Sequence, residues 1–167
     1  MTLKMDKTEF LKQFAFFSVI EGGVIERRIR PMIASIRNAS GDFANVPIYV
    51  VRARRGPVLE KSSLLFLERY QVTLINQPSS SNWSWYDFYN KAYASAIVCQ
   101  NVQQSYLCWL DDDMLIISEP DKLVNAVDSF VACASDRNIG TSAVGDRYWE
   151  YWKHFCKTVD VDFNIHA

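Results

Sequence analysis

Three consecutive carboxylates, Asp111, Asp112 and Asp113, lie between two short apolar runs at residues 106–110 and 114–117. Runs of that length fit buried strands. They leave hardly any chain for a loop, which sets the acids at the tip of a core strand. Adjacent carboxylates removed from water either pay a heavy desolvation cost or take up protons. They therefore require a cation, and a hard divalent ion with oxygen ligands, Mn²⁺ or Mg²⁺, suits them. The plainer alternative is a solvated acidic turn between two strands.

The elements that must present these acids alternate in type. Residues 15–20 and 46–51 read as buried strands, residues 72–75 as a short third one and residues 130–134 as a fifth. Between them, residues 24–39 carry Ile25, Ile29, Met32, Ile33 and Ile36 at helical spacing, with Pro31 predicting a kink or a late start. Gly56-Pro57 opens a second helix, with Leu59, Leu64, Leu65 and Leu67 as its apolar face and Tyr70 at its end. A third helix starts from a capping-box-like Ser84 and Asp87 and turns Trp85, Phe88, Ala92, Ala96 and Cys99 inward. Residues 120–127 and 146–157 read as further helices, and residues 1–13 as a polar lead-in. This alternation is the pattern of a parallel sheet covered on both faces, with the acids at its carboxyl edge, where open α/β sheets bind ligands.

Two further groups could join the acids. Asn90 and Lys91 lie roughly one turn into the third helix, near a helix end that favours anions; taken alone, Lys91 reads as one more solvated lysine. Glu21-Gly22-Gly23 follows the first strand, where two glycines could let backbone approach a ligand or simply form a turn. These glycines fall short of a dinucleotide or P-loop fingerprint.

The stretch Trp109-Leu110-Asp111-Asp112-Asp113-Met114-Leu115, followed by Ser118-Glu119-Pro120, resembles the DxD region of glycosyltransferases of the GT-A fold. The likeness extends to Asn90-Lys91-Ala92 upstream and to Arg137-Asn138-Ile139-Gly140-Thr141 and Tyr148-Trp149 downstream. It covers about residues 14–157, and the DxD block is its sharp part. The resemblance implies an α/β, Rossmann-like nucleotide-diphospho-sugar transferase with a mostly parallel sheet and helices on both faces. It implies metal-dependent transfer of a hexose from a UDP- or GDP-sugar to an acceptor. By the same resemblance Asp111 and Asp113 hold Mn²⁺ or Mg²⁺, and Asp111, Asp112, Asn90, Lys91 and Glu21 contact the donor. Asp112, the middle residue, is expected to face away, since alternate strand residues face opposite sides. A third metal ligand would come from His154, Asp160, Asp162 or His166. No residue stands out as the catalytic base.

The chain has 167 residues, 49% of them hydrophobic and 22% charged, which fits one globular domain. The net charge of −1 gives no electrostatic reason to expect nucleic-acid binding. The cluster Arg52, Arg54 and Arg55 reads as a solvated strand end. No run approaches the roughly 20 apolar residues of a membrane span, and the expectation is a cytoplasmic protein. Cys99, Cys108, Cys133 and Cys156 lack metal or disulfide spacing and read as buried thiols. By the same resemblance the chain is short for the GT-A pattern, and the acceptor part is expected to be reduced or missing. Poor transfer and self-association through an open sheet edge are therefore expected. Nucleotidyl transfer and non-catalytic nucleotide-sugar binding are the alternatives; the first lacks a glycine-rich basic loop after the first strand.

Overall fold

A computed structural model describes residues 6–125 together with Trp149 and Lys153. The chain divides into two compact units, Met1–Asp128 and Ser129–Ala167. In the second, Trp149 and Lys153 are helical. The fifth strand expected at residues 130–134, the rest of the last helix and the four candidate third ligands lie outside the described residues.

In the first unit, β1 (Phe14–Val19), β2 (Ile48–Arg52), β3 (Val72–Asn76) and β4 (Tyr106–Trp109) form a four-stranded, all-parallel sheet in the order β3-β2-β1-β4. The helices are α1 (Lys7–Lys12), α2 (Val24–Ala39), α3 (Lys61–Arg69) and α4 (Asp87–Asn101). Strand side chains alternate between faces, and both faces are covered. Phe14, Phe16, Ile48 and Val50 pack with Ile29, Met32, Ile33 and Ile36 of α2 and Leu67 of α3. Phe17, Val51 and Ala53 pack with Ala94, Ile97 and Val98 of α4. Each large aliphatic side chain so buried contributes about 1.5–3 kcal/mol. The α/β class and the two covered faces are thus as the strand-helix alternation predicts.

Several local expectations give way. Residues 7–12 are not a polar lead-in: Asp6 caps α1 through Thr8 N, and the helix buries Phe10 against Phe14, Phe43 and Tyr106. Helix α2 runs through Pro31 from Val24 to Ala39. Helix α3 begins at Lys61, not at Pro57, and Leu64 and Leu65 stay exposed while Ser63 turns inward. The proposed cap at Ser84 is displaced as well, because α4 starts at Asp87 with Tyr86 before it.

The largest correction concerns the face of α4. Trp85, Phe88, Ala92, Ala96 and Cys99 are all exposed, and Asn90, Ala94, Ile97 and Val98 are buried. Ala94, Ile97 and Val98 pack on Phe17, Val51 and Ala53 of the sheet side, so this aliphatic stripe, not the aromatics, marks the buried side. Cys99 is consequently not a buried thiol, and Cys108 is only partly covered. Residues 121–125 form a short 3-10 turn in place of the expected helix start.

Candidate active site

Strands β2 and β3 are added on one side of β1 and β4 on the other. The loops leaving β1 and β4 therefore part company, and the crevice this opens at the carboxyl edge is where such sheets take ligands. A cleft of about 290 Å³ lies there, and Glu21, Asn90, Lys91, Asp111, Asp112 and Asp113 all line it. A larger hollow of about 530 Å³ lies toward the start of β2, beside Lys7 and Pro47, and includes none of these six.

The acids are held by contacts on either side. Leu110 N donates to Phe17 O at 3.0 Å, and the buried Ser18 Oγ donates to Leu110 O at 2.7 Å, locking the end of β4 to β1. Met114 N then donates to Asp111 O at 3.1 Å, making a turn across the three acids. Ile116 N donates to Ser35 Oγ at 2.9 Å, tying the outgoing chain to α2 and not to a strand. The second buried strand expected at residues 114–117 is accordingly absent; Met114, Leu115 and Ile117 are exposed.

Each carboxylate meets a cation. Lys91 Nζ is 2.5 Å from Asp111 Oδ1, which also accepts from Trp109 Nε1 at 3.0 Å. Arg28 Nε lies 3.1 Å from Asp112 Oδ2, and Arg28 Nη2 lies 3.0 Å from Asp113 Oδ2. Arg54 Nη2 is 2.6 Å from Glu21 Oε2, and Arg54 Nη1 is 3.0 Å from Asp87 Oδ1. Asp112 does not face away: its side chain is 17% exposed, against 41% for Asp111 and 65% for Asp113. A turn at this point removes the strand alternation on which the outward expectation rested. Burial pushes the Asp112 carboxyl up; Arg28 opposes this, and Asp113 and Asp111 add to it. Its Oδ2 is near Arg28 yet buried without an aligned hydrogen bond, so the pair is close in distance and poor in geometry.

Oxygen donors of this kind match Mn²⁺ or Mg²⁺. Among the described residues, however, no three His, Cys, Asp or Glu side chains gather about one point. The carboxylates are turned instead onto Lys91 and Arg28.

The family model for the Rhodobacterales glycosyltransferase domain matches residues 16–166. The chain belongs to that family. No curated protein matches it significantly. Membership of the Rhodobacterales glycosyltransferase domain family implies a sugar donor and an acceptor, and favours sugar transfer over nucleotidyl transfer. Among the described residues, no helix is long and apolar enough to cross a membrane.

In this member of the family, two arginines shape the cleft without any signal of their own in the sequence. Arg28 is one charged residue on the polar side of α2, and only the placement of β4 beside β1 brings it to the acids. Arg54, read as part of a solvated strand end, instead bridges the β1–α2 turn to the start of α4 through Glu21, Asp87 and the Trp85 carbonyl. The glycines of that turn serve the chain itself. A Cβ on Gly22 would stand 2.5 Å from Pro57 O, and Gly23 has φ +101°. Asn90 is 1% exposed; its Nδ2 donates to Ser84 O at 3.2 Å, and its Oδ1 is buried without a partner.

Proposed function

We propose that this glycosyltransferase binds a UDP- or GDP-sugar across the cleft, with Mn²⁺ or Mg²⁺ held by Asp111 and Asp113, and transfers a hexosyl group. One observation carries the reading. Six residues from three separate stretches of sequence meet in a single cleft at the switch point between β1 and β4.

The division of labour follows from the side chains. Lys91 sits in the opening turns of α4, where its ammonium adds to the partial positive charge of the helix end and favours a phosphate. Trp109 fixes Asp111 through the indole N–H, so the carboxylate is oriented before any ligand arrives. Glu21, held by Arg54, offers an acceptor to nucleoside hydroxyls from the opposite wall. Asn90 lines the cleft beside Lys91, and a turn of its amide would bring the unpartnered Oδ1 to a ribose hydroxyl or base N–H. The divalent ion, when bound, offsets the charge that builds on the diphosphate as the glycosidic bond breaks.

Thermal unfolding with UDP and GDP, with and without Mn²⁺, tests this. A nucleoside diphosphate at about 100 times its Kd stabilises the fold by roughly 2.7 kcal/mol. That corresponds to a Tm shift on the order of 5–11 °C for a chain of this size. Asp113→Asn removes the Mn²⁺-dependent part of the shift. An equal shift in wild type and Asp113→Asn, or none with either nucleotide, overturns the reading.

A further inference from the structure

Arg28 has no part in the donor-binding set above, yet it touches two of the three acids. Its guanidinium spans Asp112 and Asp113, and Lys91 takes Asp111. We propose that Arg28, with Lys91, is a built-in counter-ion for the aspartates. When a divalent cation takes the carboxylates, Arg28 passes to the donor's diphosphate, so cation and nucleoside diphosphate enter the cleft as a coupled pair. This rests on the nucleotide-sugar reading and deepens it.

Four observations converge on it. Among the described residues the carboxylates do not gather about a common point; Lys91 holds Asp111, and Arg28 holds Asp112 and Asp113. The Arg28 side chain is 46% exposed, and ion pairs with that much solvent contact are weak enough to exchange. The Asp112 oxygen facing Arg28 is buried without an aligned hydrogen bond, so the present arrangement leaves a carboxylate oxygen short of what it can accept. Finally, the cleft pairs three aspartates with two cations. A divalent ion arriving alone on Asp111 and Asp113 would release Lys91 and leave Arg28 only its poorly aligned contact with Asp112, with no other anion to receive them. A diphosphate supplies that anion, and the planar fork of an arginine matches phosphate oxygens in a way an ammonium does not.

Titration calorimetry on the full chain separates the possibilities, using Mn²⁺ alone, UDP or GDP alone, and each in the presence of the other. In the wild type the nucleotide tightens Mn²⁺ binding about tenfold, and Mn²⁺ tightens the nucleotide by the same factor, as linkage requires. Arg28→Gln tightens Mn²⁺ alone and cuts the mutual enhancement to about twofold or less. Arg28→Lys restores part of it. Arg27→Gln makes the same charge change one residue along α2, where Arg27 pairs with Glu60 at the start of α3, and leaves both quantities as in wild type. A purely structural role for Arg28 would weaken both ligands together at constant coupling and lower the unliganded Tm, and that result overturns the proposal. So does an Arg27→Gln effect equal to that of Arg28→Gln, which would reduce it to net charge. If nucleotide binds the wild type but coupling survives Arg28→Gln, the hand-over fails while the donor reading stands. If neither UDP nor GDP binds the wild type with or without Mn²⁺, the donor reading fails and the hand-over falls with it.

Discussion

Lys91 Nζ sits 2.5 Å from Asp111 Oδ1, joining the opening turns of α4 to the end of β4 across 20 residues of chain. The same ammonium lies 5.4 Å from the Phe88 ring centroid and 5.7 Å from that of Trp109. It is thus a cation held at the mouth of the cleft by one carboxylate and two aromatic faces. Replacing it with Met keeps most of the aliphatic stem and removes the charge. Lys91→Met should weaken nucleoside diphosphate binding about tenfold, equivalent to about 1.4 kcal/mol. Added salt should weaken wild-type binding more than that of the variant. Unchanged affinity in calorimetry would remove Lys91 from the donor site.

Asp112 makes a prediction of opposite sign for the free protein. Its carboxyl is raised above the ordinary value of 3.8, first by burial. The folded state therefore binds this proton more tightly than the unfolded chain does. The group's contribution falls as pH rises from about 3.8 through the raised value, and recovers on acidification. Asp112→Asn removes that penalty. Denaturant unfolding should show a gain of about 1 kcal/mol at pH 7 that shrinks toward pH 4, while Mn²⁺-dependent nucleotide binding declines. A loss of stability at pH 7 would mean that the Arg28 pair outweighs burial.

The exposed aromatics of the 83–88 segment give a direct check on the α4 face. Trp85 is 67% exposed and Phe88 65%, while Ile97 is buried against Phe17 and Val51. Trp85→Ala and Phe88→Ala should each change stability by within about 0.5 kcal/mol. Ile97→Ala should cost about 2–5 kcal/mol. The reverse order in urea unfolding would restore the aromatics to the core.

That error shows where sequence pattern stops being informative. The sheet was readable because β1 and β2 are short, nearly continuous apolar runs, as strands covered on both faces must be, and α2 carries isoleucines and methionine at helical spacing. In α4 two candidate faces competed, one with large aromatics and one with Asn90, Ala94, Ile97 and Val98. The aromatics pointed to the wrong one; the stripe of Ala94, Ile97 and Val98 is the one that packs with Phe17, Val51 and Ala53. The acids were readable for the same reason as the sheet, since they interrupt an apolar run at a strand end. Of their counter-ions, Lys91 was legible only as a phosphate contact, and Arg28 not at all. Arg28 is 83 or more residues away along the chain, and nothing in a helix sequence states which loop its polar side will face. Glu26 shows the same limit from the other direction: nothing in the sequence sets this carboxylate apart, yet it is buried.

Glu26, the third residue of α2, is 1% exposed and carries three hydrogen bonds. Its Oε1 accepts from Gly23 N at 2.7 Å. Its Oε2 accepts from Glu60 N at 2.9 Å and Ser63 Oγ at 2.7 Å. One side chain thus ties the turn after β1 to the start of α3, and that turn carries Glu21 while α2 carries Arg28. Burial acts to raise the Glu26 carboxyl, but the bonds from Gly23, Ser63 and Glu60, with Arg30 nearby, outweigh it and hold the carboxyl below its ordinary value of 4.5. A depressed folded value means the stabilisation is complete above about pH 4.5 and is lost as pH falls through the lower folded value. Glutamine has nearly the same shape, but it carries no charge, and one of its two terminal atoms is a donor set against donors. Glu26→Gln should therefore cost about 2–3 kcal/mol at pH 7. It should also flatten the acid limb of the stability profile, because the titrating group is gone. Nucleotide affinity should fall with it, as the turn that sets Glu21 and Arg28 loses its anchor. Parallel wild-type and Glu26→Gln profiles between pH 3 and pH 7, offset or not, would show that the buried carboxylate is not the group responsible for the acid limb.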